Sequence, residues 1–276
     1  MTSLEIVMLF LSVGICGVSV YFICLATDWY FFWIGILMLP IAYFLLFWLW
    51  VIFLTIWGLF FNKKKEIKKF SRFYYHIIRV TDTTFLHIFR VSWKMKGFEK
   101  MPKNHDYVMV SNHISNFDQM ILIAAMKKEN QPMAWVSKPE NMNFPIAGPF
   151  IHHAGYIAID RENPINGVKA IKKGVEYLRT NQCAVGICPE GTRNKTDQPL
   201  LEFHAGSFKL ATWANVPIVV VCLKNTKEIK KRIPWRPCKT EVDLVDVIYP
   251  NEYEGKSTTE ISSRAREAIL KDLERK

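Results

Sequence analysis

The stretch SNHISNFDQ, residues 111–119, sets His113 five positions before Asp118. Those two residue types make a base and its orienter. Histidine titrates near neutrality, so it can take the proton of an attacking hydroxyl. A carboxylate on Nδ1 leaves Nε2 free for that work and stabilises the imidazolium that forms. The chemistry would be general-base catalysis. The alternative is two polar residues in a turn. Five residues of helix rotate by about 500°, which leaves the side chains about 140° apart. The pair therefore cannot share a helical face. It meets only if His113 lies in a loop and Asp118 opens the next helix, where the dipole favours an acid.

Two more polar loops follow strand-like runs. GYIAIDREN carries Asp160 and Arg161, and VGICPEGTRN carries Pro189, Glu190, Gly191, Thr192 and Arg193. A glycine after a strand lets backbone N–H groups approach an anion. Arginine supplies a planar fork suited to phosphate. Together they suggest a phosphorylated substrate, the alternative being that Arg161 and Arg193 make surface ion pairs. The six cysteines form no C-x2-C pair, and His152, His153 and His204 lack a ligand spacing, so no metal is expected.

The elements that position these loops alternate. Strand-like runs cover 91–97, 107–111, 133–137, 156–160, 183–188, 217–222 and 240–249; helical runs cover 117–128, 164–180, 204–214 and 257–275. That pattern predicts an α/β domain over 91–276, with a largely parallel or mixed sheet whose chemistry gathers at strand ends. Upstream, Ile67, Phe70, Tyr74, Ile77, Ile78, Thr81, Phe85 and Ile88 recur at helical spacing among lysines and arginines. Residues 63–90 thus read as a basic amphipathic helix at a membrane surface, or as an ordinary docking helix.

Residues 1–62 hold no Lys or Arg and only two acids, Glu5 and Asp28. Ile6–Ala26 and Trp29–Phe61 are each apolar and long enough to cross a bilayer. They predict a transmembrane hairpin over 1–62, with Trp29, Tyr30 and Trp33 at an interface and a bend at Pro40. A hairpin within one leaflet is the weaker variant. A signal peptide is not expected, because no basic n-region precedes the first run. The basic run NKKKEIKK after the second run places that end, the N-terminus and the remaining domain in the cytoplasm. A second cationic stretch, KNTKEIKKRIPWRPCK at 224–239, suits an anionic membrane or an acidic carrier protein better than nucleic acid. A solvated basic loop is the plain alternative.

NHISNFD, GYIAIDR, CPEGTRN and VPIVVV resemble, in order and spacing, the four motifs of the glycerolipid acyltransferases, most nearly the 1-acylglycerol-3-phosphate acyltransferases. The resemblance covers roughly residues 90–225. It implies a mixed sheet flanked by helices. It also implies acyl transfer from acyl-carrier protein or acyl-coenzyme A to the sn-2 hydroxyl of lysophosphatidic acid, with no cofactor. His113 would be the base, Asp118 its orienter, and Asn112 would shape the loop at the substrate. Arg161 and the Glu190, Gly191, Thr192, Arg193 loop would hold the glycerol phosphate. Glu190 would fix an arginine or touch a glycerol hydroxyl. Cys188 and His204 depart from the usual pattern and are expected to line a pocket. Ser115 lies in the first motif, but the chain has no G-x-S-x-G elbow, so direct transfer is expected over an acyl-serine. Other acceptors, a lipid hydrolase and an inactive lipid-binding scaffold are the competing readings.

Overall fold

The computed structural model describes residues 1–26, 32–62, 65–102, 107–126, 132–160 and 164–275. It divides into two units, Met1–Lys63 and Lys64–Lys276.

The first unit is a pair of packed helices, α1 (Ser3–Ala26) and α2 (Phe32–Leu59). Met8, Cys16, Phe47, Val51 and Leu54 are buried, while Phe10, Leu37 and Leu59 stay exposed. Apolar side chains on all faces are what a helix in hydrocarbon carries. Ser3–Phe22 and Leu37–Leu59 are long and apolar enough to span a membrane. Glu5, the one acid in the first apolar helix, is explained locally. It accepts the Thr2 N–H while Thr2 Oγ1 accepts the Glu5 N–H, a reciprocal cap that satisfies two orphan donors. Pro40 lies inside α2. Asp28, Trp29 and Tyr30 lie outside the described residues.

In the second unit α3 (Arg72–Ile88) leads into β1 (Val91–Lys96) and β2 (Val108–Ser111). There follow α4 (Asp118–Ala125), β3 (Met133–Ser137), α5 (Gly148–Ala154), β4 (Ile157–Ala158), α6 (Pro164–Arg179) and β5 (Ala184–Ile187). The chain ends with α7 (Lys209–Ala214), β6 (Ile218–Lys224), α8 (Thr226–Arg232), β7 (Cys238–Ile248), α9 (Pro250–Tyr253) and α10 (Thr258–Glu274). The seven strands form one sheet in the order β1-β7-β6-β2-β5-β3-β4. All neighbours are parallel except β6 and β7. The sheet is therefore mixed.

β2, β3 and β5 are buried at every position, as central strands covered on both faces must be. On one face Val108, Val110, Val185, Ile187, Ile218 and Val220 pack with Tyr177, Phe208, Ile261, Ala265 and Ile269 from the helices and their connections. Alternate residues turn to the other face. There Gly186 stands opposite Trp135, whose ring lies 2.7 Å from where a Cβ at 186 would sit. The indole occupies the space a side chain would need.

Several boundaries differ from expectation. The amphipathic helix expected within 63–90 begins at Arg72, because Ser71 accepts the Tyr74 N–H as N-cap and the Phe70 N–H is drawn to Gln182 Oε1 at 2.9 Å. Its buried residues, including Tyr75, Ile78 and Leu86, belong to a helix packed on α4, α5 and β1. The helical run 204–214 splits into a 3-10 turn, Ala205–Phe208, and α7. α5 and α8 were not anticipated.

Candidate active site

The parallel strands β2, β3 and β5 end on one edge of the sheet, and the polar loops leave from there. Asn112 follows β2 directly. It is fully buried, donates from Nδ2 to the Leu223 carbonyl at 2.9 Å and accepts the Leu223 N–H on Oδ1 at 2.7 Å. A side chain thus extends the pairing of β2 with β6 by one step and releases the main chain to turn. Asn112 thus shapes the loop before His113, with both its polar ends committed to β6.

His113 is fixed from three directions. Its N–H donates to Glu190 Oε1 at 2.5 Å, its carbonyl accepts the Asn194 N–H at 2.7 Å, and its Nδ1 lies 2.8 Å from Asp118 Oδ2. Asp118 is the first residue of α4 and is fully buried. Its Oδ2 also accepts the N–H groups of Ile114 and Ser115, both at 2.8 Å, and its Oδ1 accepts the Thr226 hydroxyl at 2.5 Å. Four donors thereby satisfy a carboxylate that burial would otherwise leave costly. With Asp118 on Nδ1, hydrogen bonding assigns the ring proton there and leaves the lone pair on Nε2. The ring is 23% exposed, enough for a ligand to reach it.

Glu190 departs from expectation. It is buried, and its second oxygen accepts the Leu201 N–H at 3.0 Å. It ties the loop after β5 to the main chain of His113 and, among the described residues, pairs with no arginine. Burial pushes its carboxyl above the usual range, partly offset by the two N–H donors. Gly191 has φ of 76°, which favours glycine, and its N–H closes a turn on the Cys188 carbonyl at 3.1 Å. Arg193 donates to Asn116 Oδ1, so a side chain of the first loop orients it. Arg161 lies outside the described residues.

His113 lines a cavity of about 260 Å3 together with Asn116, Lys138, Thr192, Arg193 and Lys195. Its described lining holds three cations and no acid, as an anionic ligand requires. Cys188 lines the same cavity. His204 lines a separate, largely apolar hollow of about 310 Å3 with Ile159, Val168, Ile171, Ile187 and Trp213. Both departures from the motif pattern thus sit in pocket walls. A larger hollow of about 860 Å3 beside α10 mixes lysines and arginines with Asp243, Asp246, Glu267 and Asp272, and contains no histidine. Among the described residues no cluster of three His, Cys, Asp or Glu could hold a metal ion.

Two residues of the site escaped sequence reasoning. Thr226, fully buried at the start of α8, is 108 positions from the carboxylate it holds. Asn194 acts through its main-chain N–H, while its side chain folds the following turn by accepting from Thr196. Asn194 closes the CPEGTRN motif, but nothing in the motif marks its N–H as a partner of the His113 carbonyl.

Residues 92–224, which contain the dyad and both described polar loops, match the family model described as Acyltransferase. That stretch is similar to an acyltransferase domain. Among relatives, 1-acyl-sn-glycerol-3-phosphate acyltransferase of Saccharomyces cerevisiae is 28% identical over 161 residues, 58% of this chain and 49% of that protein. The chain thus spans about half the length of that relative. 1-Acyl-sn-glycerol-3-phosphate acyltransferase of Borreliella burgdorferi is 29% identical over 183 residues, 64% of this chain and 70% of that one. The chain also shares its fold with the 1-acyl-sn-glycerophosphate acyltransferase PlsC from Thermotoga maritima: TM-score 0.58, 21% identity, covering 72% of this chain and 78% of that one.

Proposed function

We propose that this chain transfers a fatty acyl group from a thioester, acyl-carrier protein or acyl-coenzyme A, to the sn-2 hydroxyl of 1-acylglycerol 3-phosphate, giving phosphatidic acid. The observation that carries the reading is a buried, fully satisfied Asp118 holding His113 Nδ1 at 2.8 Å beside an acid-free, cation-lined cavity. Nε2 takes the hydroxyl proton as the oxygen attacks the thioester carbonyl. The imidazolium, stabilised by Asp118, then returns the proton to the departing thiolate. No enzyme nucleophile is needed. Ser115 suits that role poorly, since it is buried and its Oγ accepts the Phe117 N–H.

The lining cations Arg193, Lys138 and Lys195 support a bound acceptor phosphate, and the sequence adds Arg161. The apolar hollow around Ile171 and Trp213 fits an acyl chain. Names of relatives that act on 1-acyl-sn-glycerol 3-phosphate support the same acceptor. The basic run after residue 62 supports a cytoplasmic domain.

The test is turnover of the full chain in detergent or lipid with a panel of acceptors and both donors. Lysophosphatidic acid should react, glycerol 3-phosphate and neutral monoacylglycerol poorly. Equal rates with the phosphate-free acceptor would remove the phosphate from the reading. Fatty-acid release without any acceptor would make the chain a hydrolase.

A further inference from the structure

The cationic stretch at 224–239 is left unused by the proposed reaction. It is largely a short helix and a shaped loop. α8 docks through Thr226 and Ile229, both fully buried. Lys227, Lys230, Lys231, Arg232, Arg236 and Lys239 are all exposed. One acid sits among them, Glu228, which holds Lys231 at 2.8 Å. Beyond α8 stands Trp235, 85% exposed, between exposed Pro234 and Pro237.

This loop is held in shape. Arg90 Nη2 donates to the carbonyls of Pro234 and Trp235, at 3.3 and 2.8 Å, and the Arg90 carbonyl accepts the Cys238 N–H at 3.2 Å. The Arg236 N–H closes back on the Arg232 carbonyl at 2.8 Å. The indole is therefore presented on a scaffold fixed from the α3–β1 turn. A projecting indole is a large apolar body with one polar N–H, which suits the boundary between headgroups and acyl chains.

We propose that α8 and the loop to β7 form a second membrane contact, in which Trp235 seats at the headgroup level and the surrounding cations bind anionic lipid phosphates. Charge complementarity gives the lipid class, since a polybasic surface is drawn to an anionic leaflet and weakens as salt screens it. The same chain carries two membrane-length helices, which keep a bilayer at high local concentration. An acidic carrier protein would satisfy the cations but gives no reason for a lone indole held beyond them. α8 begins at Thr226, so seating it would also steady Asp118; that one consequence rests on the acyl-transfer reading.

The test uses the full chain in nanodiscs of phosphatidylcholine, alone or mixed with phosphatidylglycerol. Trp235→Cys carries an environment-sensitive fluorophore, and Lys256→Cys, at an exposed position before α10, is the control. Nitroxide-labelled lipid should quench the probe at 235 and not at 256. Quenching should be stronger with phosphatidylglycerol, fall with salt, and be lost when Lys230→Glu, Arg232→Glu and Arg236→Glu are added. No quenching at 235 in either disc overturns the proposal, as does equal quenching at both sites. An unquenched 235 with a charge-reversed variant slowed only toward acyl-carrier-protein donors would make the surface a protein dock instead. Quenching is read without turnover, so its outcome stands apart from that of the acyltransfer assay.

Discussion

At the scale of the residue, the dyad predicts a clear loss. His113→Ala should lower kcat about 10²–10⁴-fold, as removal of a general base does, with unchanged thermal unfolding. Near-normal turnover in the folded variant would reject His113 as the base. Thr226 acts on the same chemistry indirectly, by holding Asp118 Oδ1. A hydrogen bond to a charged group is worth about 1.5–3 kcal/mol, so Thr226→Val should cost roughly 10–100-fold in kcat with little change in donor KM. Thr226→Ser keeps the hydroxyl and should recover most of it; equal loss in both variants would assign Thr226 to packing alone. The dyad was legible because its two members lie five residues apart, one in a loop and one opening the next helix. Thr226 was hidden because its partner is 108 residues away and no residue type marks such a contact. The main-chain role of Glu190 was hidden for a related reason. A carboxylate beside an arginine suggests an ion pair, yet its oxygens meet main-chain N–H groups, which sequence does not display.

At the scale of the element, α3 carries a titratable weak point. Burial lifts the Asp82 carboxyl from its ordinary 3.8 to about 7. Between those values the folded state holds a proton that the unfolded state has released, so stability falls as pH rises through that window. At pH 8 the full penalty applies. Asp82→Asn should therefore raise Tm by a few degrees at pH 8 and change it little near pH 4, read by calorimetry. A Tm gain independent of pH would place the effect elsewhere. Amphipathic spacing made α3 legible, but its start was set by the Ser71 cap and the Phe70–Gln182 bond, one local and one long-range. α8 was not legible at all. Only Thr226 and Ile229 of its seven residues are buried, too few to show a period. The central strands were easy, because burial on both faces leaves unbroken apolar runs.

At the scale of the whole molecule, the basic run after the second apolar helix predicts both termini on one side. A cysteine introduced at position 28 should react with an impermeant reagent added outside intact cells, and one at position 2 should not. The opposite pattern would invert the topology; labelling at neither would favour a hairpin in one leaflet. The two-part plan of the chain was plain in the sequence, because 1–62 hold only two charged side chains, Glu5 and Asp28, and charge is abundant after them. How the loops lock was not, and that locking bears on how the protein can drift over generations. Asn112 and Glu190 grip the peptide groups of Leu223 and Leu201, not their side chains. A gripping residue must keep its identity, whereas a gripped one need only keep its N–H. Saturation libraries should accept most apolar residues at 201 and 223 but reject proline at both, while 112 and 190 admit almost nothing. The geometry around the base can thus stay still while half of the positions that hold it change their letters.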